Sequence, residues 1–264
     1  MDLKLKNKNI LITGATKGIG LTIAEKFAGE GANIIFCARD YTLINKIVKQ
    51  LKNKYKVNIF GKESDISKSL EIEKFVKELK KTHNSIDVLI NNAGAGSNET
   101  ILDSKDEDWQ YYWDLHVMSV VRMSRLIVPL MKNVGGGVIL NNASICASQP
   151  LWYEPIYNVT KSALVMLSKN LSNELIKYNI RVNCINAGLT LTPDWISTAK
   201  KLTKNKKNSW KDYIKNIADE NTPIKRFAST DEIANIFLFL SSECASYCVG
   251  STYYVDGGML KVIK

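Results

Sequence analysis

Asn9-Ile10-Leu11-Ile12-Thr13-Gly14-Ala15-Thr16-Lys17-Gly18-Ile19-Gly20 is the stretch that decides how the chain is read. Asn9 to Thr13 is a short apolar run ending at a glycine, the pattern of a strand buried on both faces in a parallel sheet. Beyond the turn, Ile19, Ile23, Ala24 and Phe27 recur at helical spacing, and Gly29 and Gly31 stop that helix. Asn33-Ile34-Ile35-Phe36-Cys37 reads as a second strand, so the chain opens with a βαβ unit. The glycines let backbone approach a pyrophosphate, whose charge a helix N-terminus stabilises. The spacing is G-x-x-x-G-x-G rather than the G-x-G-x-x-G of the usual dinucleotide fingerprint.

The alternation continues outward. A lysine-rich helix leads to a strand around Val57 to Phe60, and Ile72, Phe75, Val76 and Leu79 mark the next helix. Ile86 to Ile90 is a fourth strand, followed by a long amphipathic helix from about Asp106 to Met131. Gly135-Gly136-Gly137 precedes the strand Val138 to Asn142; a helix carrying Tyr157 and a strand from Ile180 to Ile185 come next. This pattern predicts one doubly wound, Rossmann-type α/β fold: a parallel sheet with helices on both faces, formed by residues 1–264 as a single domain. The segment from Leu189 to Pro223 breaks the rhythm with lysines, asparagines, Trp195, Trp210 and Tyr213, and is expected to form a lid over a site.

With 264 residues, 45% hydrophobic and 23% charged, the chain has ordinary soluble composition and enough length for a large core. Neither a signal-peptide pattern at the start nor an apolar run long enough to span a membrane is present, so a cytoplasmic protein is expected. Five cysteines without a CxxC pair, and only two histidines, lead us to expect free thiols and no metal. The net charge of +10 comes mostly from lysines scattered over helix faces, without the arginine and aromatic clusters of nucleic-acid readers. A solvated lysine face is expected, with attraction to an anionic substrate or an acidic carrier protein as the other reading.

After the second strand, where an NAD enzyme places an acidic residue for the ribose hydroxyl, the chain reads Cys37-Ala38-Arg39-Asp40. Arg39 and Lys17 offer two cations for a 2′-phosphate, so NADP(H) is the expected cofactor and NAD(H) the alternative. In Tyr157-Asn158-Val159-Thr160-Lys161, a tyrosine and a lysine four apart share one helix face. There an ammonium can stabilise a phenolate and bring its proton exchange nearer neutrality.

Together these stretches resemble the short-chain dehydrogenase/reductase family over essentially the whole chain. The resemblance rests on the glycine turn, Asp65-Ile66, Asn91-Asn92-Ala93-Gly94, Ser144, Tyr157-x-x-x-Lys161, Asn186-Ala187-Gly188-Leu189-Thr190-Leu191-Thr192 and Val255-Asp256-Gly257-Gly258, in that order. It implies that Gly14, Thr16, Lys17, Gly18, Ile19 and Gly20 hold the cofactor phosphates. Asp65 and Ile66 would flank the adenine, Asn92, Ala93 and Gly94 would line the cleft, and Gly188, Thr190 and Thr192 would meet the carboxamide end. Ser144 would hydrogen-bond the substrate, Tyr157 would be general acid in reduction and base in oxidation, and Lys161 would hold the ribose and lower the tyrosine pKa.

Two positions depart from the family pattern. His116 stands where the family places an asparagine that positions a water in the proton relay; an imidazole could relay protons itself or hold the same backbone. Ala187 stands where proline is common. The expected activity is NADP(H)-dependent interconversion of a carbonyl and an alcohol, of the 3-oxoacyl-carrier-protein reductase-like kind. The alternatives are an NAD-dependent alcohol or sugar dehydrogenase and, from another class, a non-catalytic dinucleotide-binding regulator. The segment Gln149-Pro150-Leu151-Trp152-Tyr153 and the lid aromatics point to an apolar or ring-shaped substrate, and the resemblance implies a homotetramer.

Overall fold

A computed structural model describes residues 2–151, 153–207 and 209–263; Trp152, one of the aromatics read as facing substrate, lies outside them. β1 (Asn9–Thr13), β2 (Asn33–Ala38), β3 (Ile59–Glu63), β4 (Val88–Asn91), β5 (Gly137–Asn142), β6 (Ile180–Ala187) and β7 (Thr252–Val255) form one parallel sheet in the order β3-β2-β1-β4-β5-β6-β7. The order reverses between β1 and β4, where Ile10, Leu11 and Ile12 pair with Val88, Leu89 and Ile90. In such sheets the crevice outside the carboxyl ends of these strands receives the ligand.

The strands are apolar because both faces are covered. Ile10, Ile12, Ile34, Phe36, Val88 and Ile90 point to the side of α1 (Gly18–Gly29) and α9 (Thr230–Ser241). Leu11, Ile35, Leu89 and Ile139 point to the side of α3 (Ser69–Leu79) and α5 (Ser119–Lys132). The third strand begins and ends later than Val57 to Phe60, because its pairing with β2 sets Ile34 opposite Ile59. Gly61 has a packing reason there: a Cβ would fall 2.7 Å from the Phe36 ring. β6 runs two residues beyond the expected Ile185, carried by its pairing with β7 up to Ala187 and Val255. β7 and α9 carried no clear signal in the sequence reading. Ser229 and Glu232 nevertheless cap α9 reciprocally, each side chain bonding the other's backbone N–H.

The helix expected from Asp106 to Met131 is continuous but not uniform. α4 (Asp106–Trp113) passes into a π-helical turn, Asp114–Met118, before α5. A π turn inserts a residue and rotates the following face, and such turns gather at functional sites; His116 lies within it. α2 (Tyr41–Lys54) covers the β2–β3 edge, α6 (Pro155–Leu175) carries Tyr157, and the segment expected as a lid forms α7 (Pro193–Thr203) and α8 (Trp210–Asn221), packed together. No helix among the described residues is long and apolar enough to cross a membrane.

Candidate active site

The glycine turn is built for close approach. Gly14 has a left-handed φ of 71°, and a Cβ on Gly20 would lie 2.2 Å from the Gly14 carbonyl oxygen. Asn92 holds the turn from the next strand, donating Nδ2 to the carbonyls of Thr13 and Gly14 at 3.1 Å each. No side chain caps α1, so its first-turn amides, Gly18 to Gly20, are left for an anion. The donors present therefore fit a dinucleotide pyrophosphate. Arg39 and Lys17 each have a protein contact. Arg39 Nη1 donates to the Tyr111 hydroxyl (3.4 Å), and Lys17 Nζ pairs with Asp194 at 2.6 Å. Asp194 lies in the first turn of α7, and Thr192 packs 3.6 Å from where a Gly18 Cβ would sit, so the start of α7 rests on the glycine turn.

The other cofactor candidates are placed less uniformly. Asp65 accepts from the N–H and hydroxyl of Ser67, whereas Ile66 is buried in the core with Ile72 and Leu115. Ala93 donates its N–H to Thr13 Oγ1, and Gly94 sits between His116 and Lys161. Gly188 packs on Asp256, Thr190 donates to the Gly188 carbonyl, and Thr192 caps α7 by accepting from Trp195 N–H.

Ser144, Tyr157 and Lys161 converge. Ser144 follows β5 and accepts from Cys146 N–H (3.2 Å). Lys161, buried on α6, donates Nζ to the Asn142 carbonyl (2.8 Å) and lies 5.4 Å from the centre of the Tyr157 ring. The surroundings are dry, and this acts on both groups. Burial lowers the Lys161 pKa from 10.5 to about 8. Tyr157 keeps part of its surface open, yet desolvation holds its hydroxyl above the ordinary value, with the Ser144 side chain opposing the shift. Without a bound dinucleotide, desolvation dominates at Tyr157, and the tyrosine is protonated at neutral pH.

His116, almost wholly buried, touches three parts of the site. Its Nε2 accepts from Ala95 N–H at 3.3 Å, its Nδ1 lies 2.9 Å from Thr160 Oγ1, and its ring stands edge-on to Tyr157. Burial and then the Lys161 charge hold its pKa well below the ordinary value, against a smaller opposing effect of the Ala95 backbone.

Two groups escaped the sequence reading. Glu154, three residues before Tyr157, is half-buried with Oε1 3.7 Å from Cys146 Sγ. Burial raises its pKa to about 7, the nearby Glu99 adds to the rise, and Cys146 opposes it. Glu99 itself accepts from Ile156 N–H at the start of α6 (3.2 Å). Spacing gives no warning of this pair, because Glu99 approaches from the loop after β4. The second group is Thr160, hidden in the motif between tyrosine and lysine. Among the described residues no cluster of histidine, cysteine or carboxylate side chains could hold a metal, and all five cysteines are free.

A family model described as enoyl-(acyl carrier protein) reductase matches residues 14–260. The oxidoreductase YvrD of Bacillus subtilis is 34% identical over 99% of this chain and 99% of its own length. Dehydrogenase/reductase SDR family member 4 of Sus scrofa is also 34% identical, over 96% of this chain and 88% of its own. Among solved structures, L-sorbose reductase from Gluconobacter frateurii, in complex with NADPH and L-sorbose, is similar at a TM-score of 0.98 and 54% identity, with 100% of both chains covered. With the glycine turn, the Ser144–Tyr157–Lys161 cluster and these matches in agreement, the chain belongs to the short-chain dehydrogenase/reductase family of oxidoreductases.

Proposed function

We propose that this oxidoreductase uses NADP(H) to reduce the keto group of a polyhydroxylated ketone, a ketose, to the alcohol. The observation that carries the substrate class is Glu154, a half-buried carboxyl with a pKa of about 7, beside Tyr157 and Cys146. Near neutral pH it can both donate to and accept from a hydroxyl. An acyl chain would instead strip water from Glu154 without replacing its hydrogen bonds, which costs free energy. The 54% identity to a reductase of L-sorbose supports the same reading.

When bound, the dinucleotide supplies the hydride. The first-turn amides of α1 hold its pyrophosphate, and Arg39 and Lys17 take the 2′-phosphate, Lys17 exchanging or sharing its Asp194 contact. Ser144 donates to the substrate oxygen as charge develops there. Tyr157, protonated at neutral pH, gives its proton to that oxygen, and the Lys161 ammonium stabilises the phenolate left behind. Exposed Tyr111, Trp113, Val159 and Met166 on α4 and α6 support a homotetramer built through those helices.

The test is a panel of ketoses, plain cyclic ketones and 3-oxoacyl thioesters, with NADPH consumption as readout, on the wild type and Glu154→Gln. The variant should lower kcat/KM for the best ketose by about ten- to a hundredfold, the range of a charge-assisted hydrogen bond, and leave cyclohexanone turnover unchanged. A 3-oxoacyl thioester as the best substrate, with Glu154→Gln neutral, would sink the ketose reading.

A further inference from the structure

The contacts of His116 decide which of its nitrogens carries the proton. Ala95 N–H can only donate, so Nε2, 3.3 Å away, must be the bare acceptor. A second, independent constraint comes from Thr160. Its single hydroxyl proton has two carbonyl acceptors within reach, Ile156 (2.9 Å) and Tyr157 (3.1 Å), one turn back on α6. With its proton given to either carbonyl, it accepts from Nδ1 at 2.9 Å. Both ends of the ring demand the same tautomer, neutral with the proton on Nδ1.

We propose that Thr160 is a positioning residue that locks His116 as the neutral Nδ1–H tautomer, making the imidazole a fixed strut against Tyr157 and not a carrier of protons. Thr160 Oγ1 ties the ring to the backbone of Tyr157 itself, and the ring edge meets the Tyr157 side chain at 5.4 Å between centroids. A second proton on His116 would set one N–H against the N–H of Ala95, and would place a cation beside Lys161, the charged group that faces it from α6. The remaining titratable neighbours are Tyr157 and Tyr112, whose ring lies 5.6 Å away; neither supplies an anion at neutral pH. His116 is therefore not on the path by which protons reach Tyr157. This rests on Tyr157 being the proton donor, but the tautomer itself can be read without substrate.

The chain has only two histidines, so nitrogen NMR of protein labelled in the imidazole rings is simple to assign, with His83 as internal reference. In the wild type, His116 should show a protonated Nδ1 and a bare Nε2, unchanged from about pH 5 to about pH 9, while an unlocked imidazole would titrate in between. Thr160→Ser should keep that pattern. Thr160→Val should lose the single tautomer and lower kcat by about ten- to a hundredfold, with NADPH affinity unchanged, and the serine variant should restore the rate. A proton on Nε2 in the wild type, an ordinary titration, or an undisturbed tautomer in Thr160→Val would each overturn the proposal. If the valine variant does not fold, the wild-type and serine spectra still decide it. A fixed tautomer with no ketose turnover would count against the proposed function and leave the lock standing.

Discussion

Lys161→Met removes the ammonium set beside the Tyr157 ring, and its effect can be worked from the structure. Nζ lies 5.4 Å from the ring centroid. With an effective dielectric of about 20, a phenolate at that distance gains about 3 kcal/mol from the ammonium. In reduction the phenolate forms as the proton leaves, so kcat should fall by roughly a hundredfold. The pH dependence is more diagnostic. Lys161 is charged below its pKa of about 8, so wild-type reduction should decline as pH rises through that value. The methionine variant has no such charge to lose and should show a low rate without that decline.

Stability moves the opposite way. A lysine with a folded-state pKa of about 8, against an ordinary 10.5, binds its proton less well folded than unfolded. The charged form thus opposes folding fully below about pH 8, by about 3 kcal/mol, and this is relieved as pH rises from about 8 to 10.5. Methionine removes that burden but leaves the Asn142 carbonyl without its donor, which returns about 1–3 kcal/mol. At neutral pH the variant should be as stable as the wild type or up to about 2 kcal/mol more so. The wild type should close this gap above pH 8 in denaturation measured at several pH values. A variant that loses less than about tenfold in kcat, or keeps the alkaline decline, would refute the electrostatic role.

Tyr157→Phe should lower kcat by about a hundred- to ten-thousandfold, the usual loss of a general acid, while NADPH affinity by fluorescence titration stays the same. The double variant Lys17→Ala, Arg39→Ala should weaken NADPH binding by roughly a hundredfold or more and NADH binding little, since only the former carries the 2′-phosphate. The lost Lys17–Asp194 pair should matter less, because both side chains are largely exposed. Gly20→Ala should cost about 1–3 kcal/mol of stability and much NADPH affinity, because its Cβ collides with the Gly14 carbonyl and Asn92 Nδ2; an unchanged melting temperature would show that the turn is less tightly held.

What could be read from the sequence was what short stretches encode. The apolar run before Gly14, the turn itself and the four-residue spacing of Tyr157 and Lys161 are local patterns, and each folded as its periodicity predicts. The α7–α8 segment was visible as a break in alternation, though not that Asp194 within it would meet Lys17 across 177 residues of chain. The desolvation at Tyr157 was not legible, because spacing reveals a nearby charge and says nothing of burial. Glu154 was missed for the same reason: a carboxylate in a loop looks solvated until Glu99 and Cys146 are packed around it. The π turn at Asp114–Met118 leaves no mark in an apolar pattern, yet it holds the residue that best distinguishes this site from its family.

His116 in place of an amide changes the problem the pocket must solve. An amide cannot take a charge near neutral pH, whereas an imidazole can, and a charged ring here would compete with Lys161 for the Tyr157 phenolate. The structure surrounds the ring with one fixed donor, Ala95 N–H, and one fixed acceptor, Thr160 Oγ1, so the neutral ring is fully satisfied. Lys161 is then left as the cation against which Tyr157 works. Both groups are protonated below about pH 8, the state that carbonyl reduction consumes. Alcohol oxidation needs the phenolate instead, and desolvation of Tyr157 resists forming it. The protonated pair thus supplies the acid step of reduction near neutral pH, and the oxidation rate should gain as pH rises, with the equilibrium between the two set by the reactants.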